Sequence, residues 1–173
     1  MKKPKSIKKV LRSGVFPPLF GENFGKPNAE WKRLASVDFD TLGRILACHL
    51  VVEHYLSKYL EIHCPSDLDW NTSHMTFSQQ LSLAAGKNSH LNNYGLPMAI
   101  RRLNNIRNRI GHDIEANITP DDVLPLKQSI ESVSKDDKLP ALSPLATIEM
   151  FTLGVCSYIA AFCTAKVKCI RLP

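Results

Sequence analysis

The chain has 173 residues, with 22 Lys+Arg against 16 Asp+Glu and a formal net charge of +6. A hydrophobic content of 44% excludes a wholly disordered chain, and the length suits one domain with a real core. Five cysteines at scattered spacings exclude a disulfide framework and point to a reducing, cytoplasmic setting.

Residues 1–37 read as a basic N-terminal arm. Pro4, Pro17, Pro18 and Pro27 and three glycines interrupt any period, and Lys2, Lys3, Lys5, Lys8, Lys9 and Arg12 stand there without an acid before residue 13. Subtracting those six leaves 16 basic and 16 acidic residues, so the body is neutral and the net charge belongs to the tip of the arm. Phe16, Leu19, Phe20, Phe24 and Trp31 are apolar enough to dock on the body or on a partner. Pro17 and Pro18 follow the basic start before any apolar run, which is not a signal-peptide pattern.

Residues 38–173 read as one helical domain. Asp38 or Asp40 caps a helix to about His63, with Leu42, Ile45, Val52, Leu56, Tyr59 and Leu60 on one face. Thr76 caps a short helix from Phe77 to Ala85, which Gly86 stops. Lys87–Gly95 reads as a polar, Asn-rich loop. Pro97 suits the first turn of a third helix to about Gly111, with Ala99, Leu103, Ile106 and Ile110 as its core stripe. Thr119 and Pro120 open a fourth helix to about Val133, and Ser143 and Pro144 open a last one to about Lys168. The uncharged run Met150–Ala165 falls short of the roughly 20 residues of a membrane span and reads as a buried core helix. The expected fold is therefore all-α, an up-and-down bundle of about five helices, with no membrane partner.

The chemistry concentrates in Arg101–Asp113, RRLNNIRNRIGHD, where four arginines, three asparagines and a histidine precede the first acid. At ~100° per residue, Arg101, Asn105, Asn108 and His112 form a stripe opposite the core stripe. Arg107 sits about 140° from His112 and flanks the core. The two therefore converge on one ligand only if the helix breaks near Gly111 or a second chain completes the site. The set suits RNA cleavage without a metal. A histidine titrates near neutrality and carries protons to or from a 2′-hydroxyl or a 5′-oxygen, while an arginine stabilises the crowded phosphate. Asn108 orients His112 or the substrate, and Arg101, Arg102, Asn105 and Arg109 are the expected RNA contacts. On the first helix, His49 and Glu53 lie one turn apart on or beside the apolar face, where polar groups need partners. Glu53 is expected to support the site by pairing with an arginine of the third helix, such as Arg107. His49, His63, Cys64 and His74 lack the paired spacings of a metal site, so neither metal nor cofactor is expected.

These residues also carry a resemblance. Arg107-Asn108-Arg109-Ile110-Gly111-His112 resembles the Arg-x(4–6)-His signature of the HEPN superfamily of nucleotide- and RNA-binding helical domains. Cys48–Leu56 looks like the first long helix of such domains, and Phe77–Ala84 like the short helix before the signature helix. The resemblance spans roughly residues 40–168. It implies a homodimer in which the signature Arg and His of two protomers face one cleft. It further implies a metal-independent ribonuclease of toxin or antiviral type, with Arg107 on the scissile phosphate, His112 as acid/base, and an antitoxin or defence-system partner. The alternative is a non-catalytic binding module, similar to mannitol-operon-repressor-like regulators, which lack the signature.

Overall fold

The computed structural model describes residues 38–64, 75–87, 89–113, 116–134 and 141–171. The N-terminal arm and its apolar residues lie outside them, as does His74. Among the described residues there are five α-helices and no strand: α1 (Phe39–His63), α2 (Phe77–Ala84), α3 (Leu96–His112), α4 (Leu124–Val133) and α5 (Pro144–Arg171).

Each helix begins where local chemistry satisfies its free N–H groups. Asp38 caps α1, its carboxylate accepting from Thr41 N at 3.1 Å. Thr76 and Gln79 close a reciprocal capping box on α2. The expected loop before α3 is instead largely a 3-10 helix, His90–Gly95, interrupted at Asn93 and Tyr94. Tyr94 (φ 58°) and Gly95 (φ 66°) are both left-handed, and this double reversal turns the chain into α3. A 3-10 turn, Pro120–Val123, leads into α4, with Thr119 capping it.

The core is one cluster drawn from every helix, with Val52, Leu56, Leu60, Ile100, Leu103, Ile106, Leu126, Phe151 and Ile159 among its buried members. The expected stripe of α3 is largely in place, although Ile110 is only half-buried and Ile100 joins it. Four helices form a ring: α1 packs on α3 and α5, and α4 packs on the same two, while α2 leans on α1 and α3.

The direction of α5 departs from the expected up-and-down order. His49 meets Asn104 and Tyr59 meets Ser89, so α3 runs antiparallel to α1. Asp122 meets Arg102 and Ser132 meets Tyr94, so α4 runs antiparallel to α3. Arg44 meets Glu149 near the starts of α1 and α5, and Tyr158 meets Asn93 and His90 at the far end. The last helix is therefore parallel to both of its neighbours, α1 and α4. Hydrophobic period reports which face of a helix is buried, but not which way the helix runs.

By length and composition α5 qualifies as a membrane span, with a mean hydropathy of 1.6 over its window within Pro144–Val167. Thr147, Ile148, Phe151, Thr152, Val155, Cys156 and Ile159 face the core, and Leu153 stands 71% exposed. Burial pushes the Cys156 thiol up to about 12, which leaves it unreactive near neutral pH.

Candidate functional site on the third helix

α3 is unbroken through His112 and capped by Asp113, whose N–H bonds the Arg109 carbonyl at 2.8 Å. A break near Gly111 is thereby removed as a way to bring Arg107 and His112 together. Arg101, Asn105 and His112 are exposed on the outer face, with Asn108 half-buried beside them. Arg107 is half-buried at the seam with α1 and donates from Nη1 to Asn108 Oδ1 at 2.9 Å. Within one chain, then, Asn108 contacts Arg107, and His112 stands one turn beyond Asn108 on the exposed face, away from the face that carries Arg107.

The four arginines of the segment are not equivalent. Arg102 and Arg109 are seven residues apart, only ~20° in helical phase, so they share a face. Both close on Asp122, which is 3% exposed. Arg102 donates from Nη2 to Oδ1 at 2.7 Å and from Nε to the Asp122 carbonyl at 2.9 Å. Arg109 forks onto both carboxylate oxygens and also reaches the Asn117 carbonyl. Thr119 adds its N–H and hydroxyl to Oδ2, each at 2.9 Å. The Arg109 bonds, followed by those from Thr119, hold the Asp122 carboxyl far below the ordinary carboxylate range, against the opposing effect of burial. Arg102 and Arg109, expected as RNA contacts, thus serve as the tie between α3 and the start of α4. Only Arg101 and Arg107 lack an ion-pairing carboxylate among the described residues.

The α1 side of the seam centres on His49, which is 3% exposed. Its Nε2–H donates to Asn104 Oδ1 at 3.0 Å, and its ring lies tilted on Phe77 of α2 with centroids 4.4 Å apart. Nδ1 then carries the lone pair of a neutral ring. It is buried without a hydrogen-bond partner, and Glu53 Oε2 lies 3.8 Å away. Burial pushes the His49 pKa below its ordinary value. The Asn104 bond and the Glu53 charge pull the other way, and the Arg107 charge adds to the depression.

The expected Glu53–Arg107 pair is not formed. With His49 opposite Asn104 on antiparallel helices, Arg107 sits a turn toward the start of α1 and Glu53 a turn toward its end. In register, His49 lies between them, 3.8 Å from Glu53 and within reach of the Arg107 charge. Asp122 does not stand out in the sequence, although besides closing the capping box with Thr119 it holds both Arg102 and Arg109. The available signal was the two-turn spacing of Arg102 and Arg109, which asks for one shared acid.

A separate apolar groove of about 450 Å³ opens between α4 and α5, lined by Tyr94, Leu96, Ile130, Val133, Leu153 and Tyr158 among others. It lies toward the end of the bundle opposite His112. Among the described residues no three His, Cys, Asp or Glu side chains converge as a metal site. No protein-family model, no curated protein and no solved structure matches this chain.

Proposed function

We propose that this chain is a HEPN-like, metal-independent endoribonuclease of toxin or antiviral-defence type that works as a homodimer in the cytoplasm. The observation that carries the reading is the selective state of the α3 arginines. Arg102 and Arg109 are neutralised by Asp122, whereas Arg107 is half-buried beside Asn108 with no carboxylate within ion-pairing distance among the described residues. An unneutralised guanidinium at a helix seam is costly unless it serves an anion.

In this mechanism Arg107 binds and polarises the scissile phosphate. His112 takes the proton of the 2′-hydroxyl, which attacks phosphorus, and a second His112 returns a proton to the leaving 5′-oxygen. The products are a 2′,3′-cyclic phosphate and a 5′-hydroxyl. Asn108 orients Arg107, Arg101 and Asn105 offer exposed RNA contacts, and Glu53 and His49 support the seam. The uninterrupted α3 supports a site shared between two copies, since one chain carries Arg107 and His112 on different faces. An antitoxin or defence-system protein is the natural regulator.

The test is cleavage of RNA in EDTA. Arg107→Ala and His112→Ala are each expected to lower the rate by about 10²–10⁴-fold. Undiminished cleavage by His112→Ala sinks the site. The exposure of His112, apart from Arg107, favours a second reading: a non-catalytic module that binds nucleic acid or a protein partner. RNA binding without cleavage, insensitive to His112→Ala, identifies that case.

A further inference from the structure

We infer that His49 is a positioning residue, a neutral spacer latched by Asn104 that holds the Glu53 carboxylate off the Arg107 guanidinium. Its consequence for RNA rests on the ribonuclease reading above, but the separation itself does not.

The seam contains a carboxylate and a guanidinium that do not meet. Of the described carboxylates on α1, Asp40 lies against Arg44 and Glu61 against Lys58. Among the described residues, the Glu53 carboxylate has only the neutral ring of His49 as an ionisable neighbour, at 3.8 Å. Both Glu53 and Arg107 are half-buried, where an ion pair gains more than it does in open water. Their Cα positions are offset by ~10 Å along the helix axes, at 1.5 Å per residue over seven residues of combined register. Two long side chains reaching toward each other cover that distance.

What lies between them in register is a buried side chain, 3% exposed, fixed by two contacts. Asn104 Oδ1 accepts from the Nε2–H, and Phe77 backs the ring. The arrangement leaves Nδ1 as a buried acceptor without a donor. An orphaned buried acceptor is a cost that a packing hydrophobe at this position would avoid. The charged groups facing the ring are Glu53 from its own helix and Arg107 from α3, with only Phe77 from α2. His49 therefore keeps Arg107, which is bonded only to the neutral Asn108 amide among the described residues, out of an ion pair with Glu53, and its charge stays open to a phosphate.

The test compares His49→Ala, His49→Gln and the double variant His49→Ala/Glu53→Gln in the full chain. Two measurements are made on each: solvent exchange of the Arg107 Nε–H by ¹⁵N NMR, and KM and kcat for a short RNA. In His49→Ala the Arg107 Nε–H is expected to exchange at least tenfold more slowly as Glu53 engages it. KM is expected to rise about tenfold, with a smaller change in kcat. Adding Glu53→Gln returns both to wild-type values, and His49→Gln, which keeps a neutral donor for Asn104, stays near wild type. If His49→Ala does not fold, Asn104→Ala releases the same ring from a half-buried position and is expected to slow the exchange likewise. Unchanged exchange in the folded variant overturns the inference, and so does failure of Glu53→Gln to reverse the effect. Slowed exchange in a protein that cleaves no RNA, wild type included, upholds the spacer and removes the ribonuclease reading.

Discussion

At the scale of single residues, Asp122 and His49 are buried ionisable groups whose pKa values the fold shifts. Asp122 is paired with two arginines that are themselves 35% and 43% exposed, so solvent screens part of the attraction. Asp122→Asn leaves both guanidinium groups without their counter-charge and is expected to cost about 2–4 kcal/mol, measured by urea denaturation. Because the Asp122 pKa is depressed on folding, its contribution is present in full above the ordinary value of 3.8 and is lost as pH falls through the lower folded value. The gap between wild type and Asp122→Asn should therefore narrow below about pH 4. His49 has the same sign for a different reason. Burial lowers its pKa from 6.5, so the unfolded chain takes a proton more readily than the folded one. Stability linked to His49 is present above about pH 6.5 and declines below it. Between pH 7 and pH 5, the Tm of wild type should fall more steeply than that of His49→Gln.

At the scale of elements, α3 does two jobs at once. Its inner stripe closes the core, and its other faces sort four arginines into one pair tied to the turn before α4 and two without an ion-pairing carboxylate among the described residues. The spacing that makes Arg102 and Arg109 partners of one acid also turns Arg107 toward α1. Gly111 is not needed for a bend, because α3 continues past it and a Cβ there would meet nothing within 4 Å. Gly111→Ala is expected to raise stability by about 0.5–1 kcal/mol by thermal denaturation, through lower backbone entropy in the unfolded chain. The core stripe of α3 and the caps of α1, α2 and the turn before α4 were legible in sequence, because each depends on groups within one or two turns. The pairings of Asp122 and Asn104 were not. They join residues 13 to 55 positions apart, and no local pattern specifies which acid or amide comes opposite.

At the scale of the whole molecule, the proposed site needs two copies. The composite arrangement predicts that mixing Arg107→Ala with His112→Ala recovers a small part of the cleavage that neither has alone, since a mixed dimer retains one Arg107 and one His112 as base, with solvent left to protonate the leaving 5′-oxygen. Absence of recovery in a preparation shown by sedimentation to contain mixed dimers contradicts a shared cleft. The charge distribution makes a second prediction. The body is neutral once six basic residues of the arm are set aside. Replacing all six with Gln in the full chain should flatten the salt dependence of RNA binding if the arm contacts phosphates. An unchanged slope places the phosphate contacts elsewhere than on these six residues.

The amino-acid sequence alone determined that this protein is helical, where its described helices begin and end to within a few residues, and which face of each turns inward. Those properties follow from caps, from 3.6-residue periodicity and from apolar burial, all of which act within a single element. Tertiary structure alone decided the parallel course of α5, the capture of Arg102 and Arg109 by Asp122, and the placement of His49 between Glu53 and Arg107. Those depend on register between helices distant in the chain. There a shift of one turn exchanges one charged partner for another without changing the hydrophobic pattern on either helix.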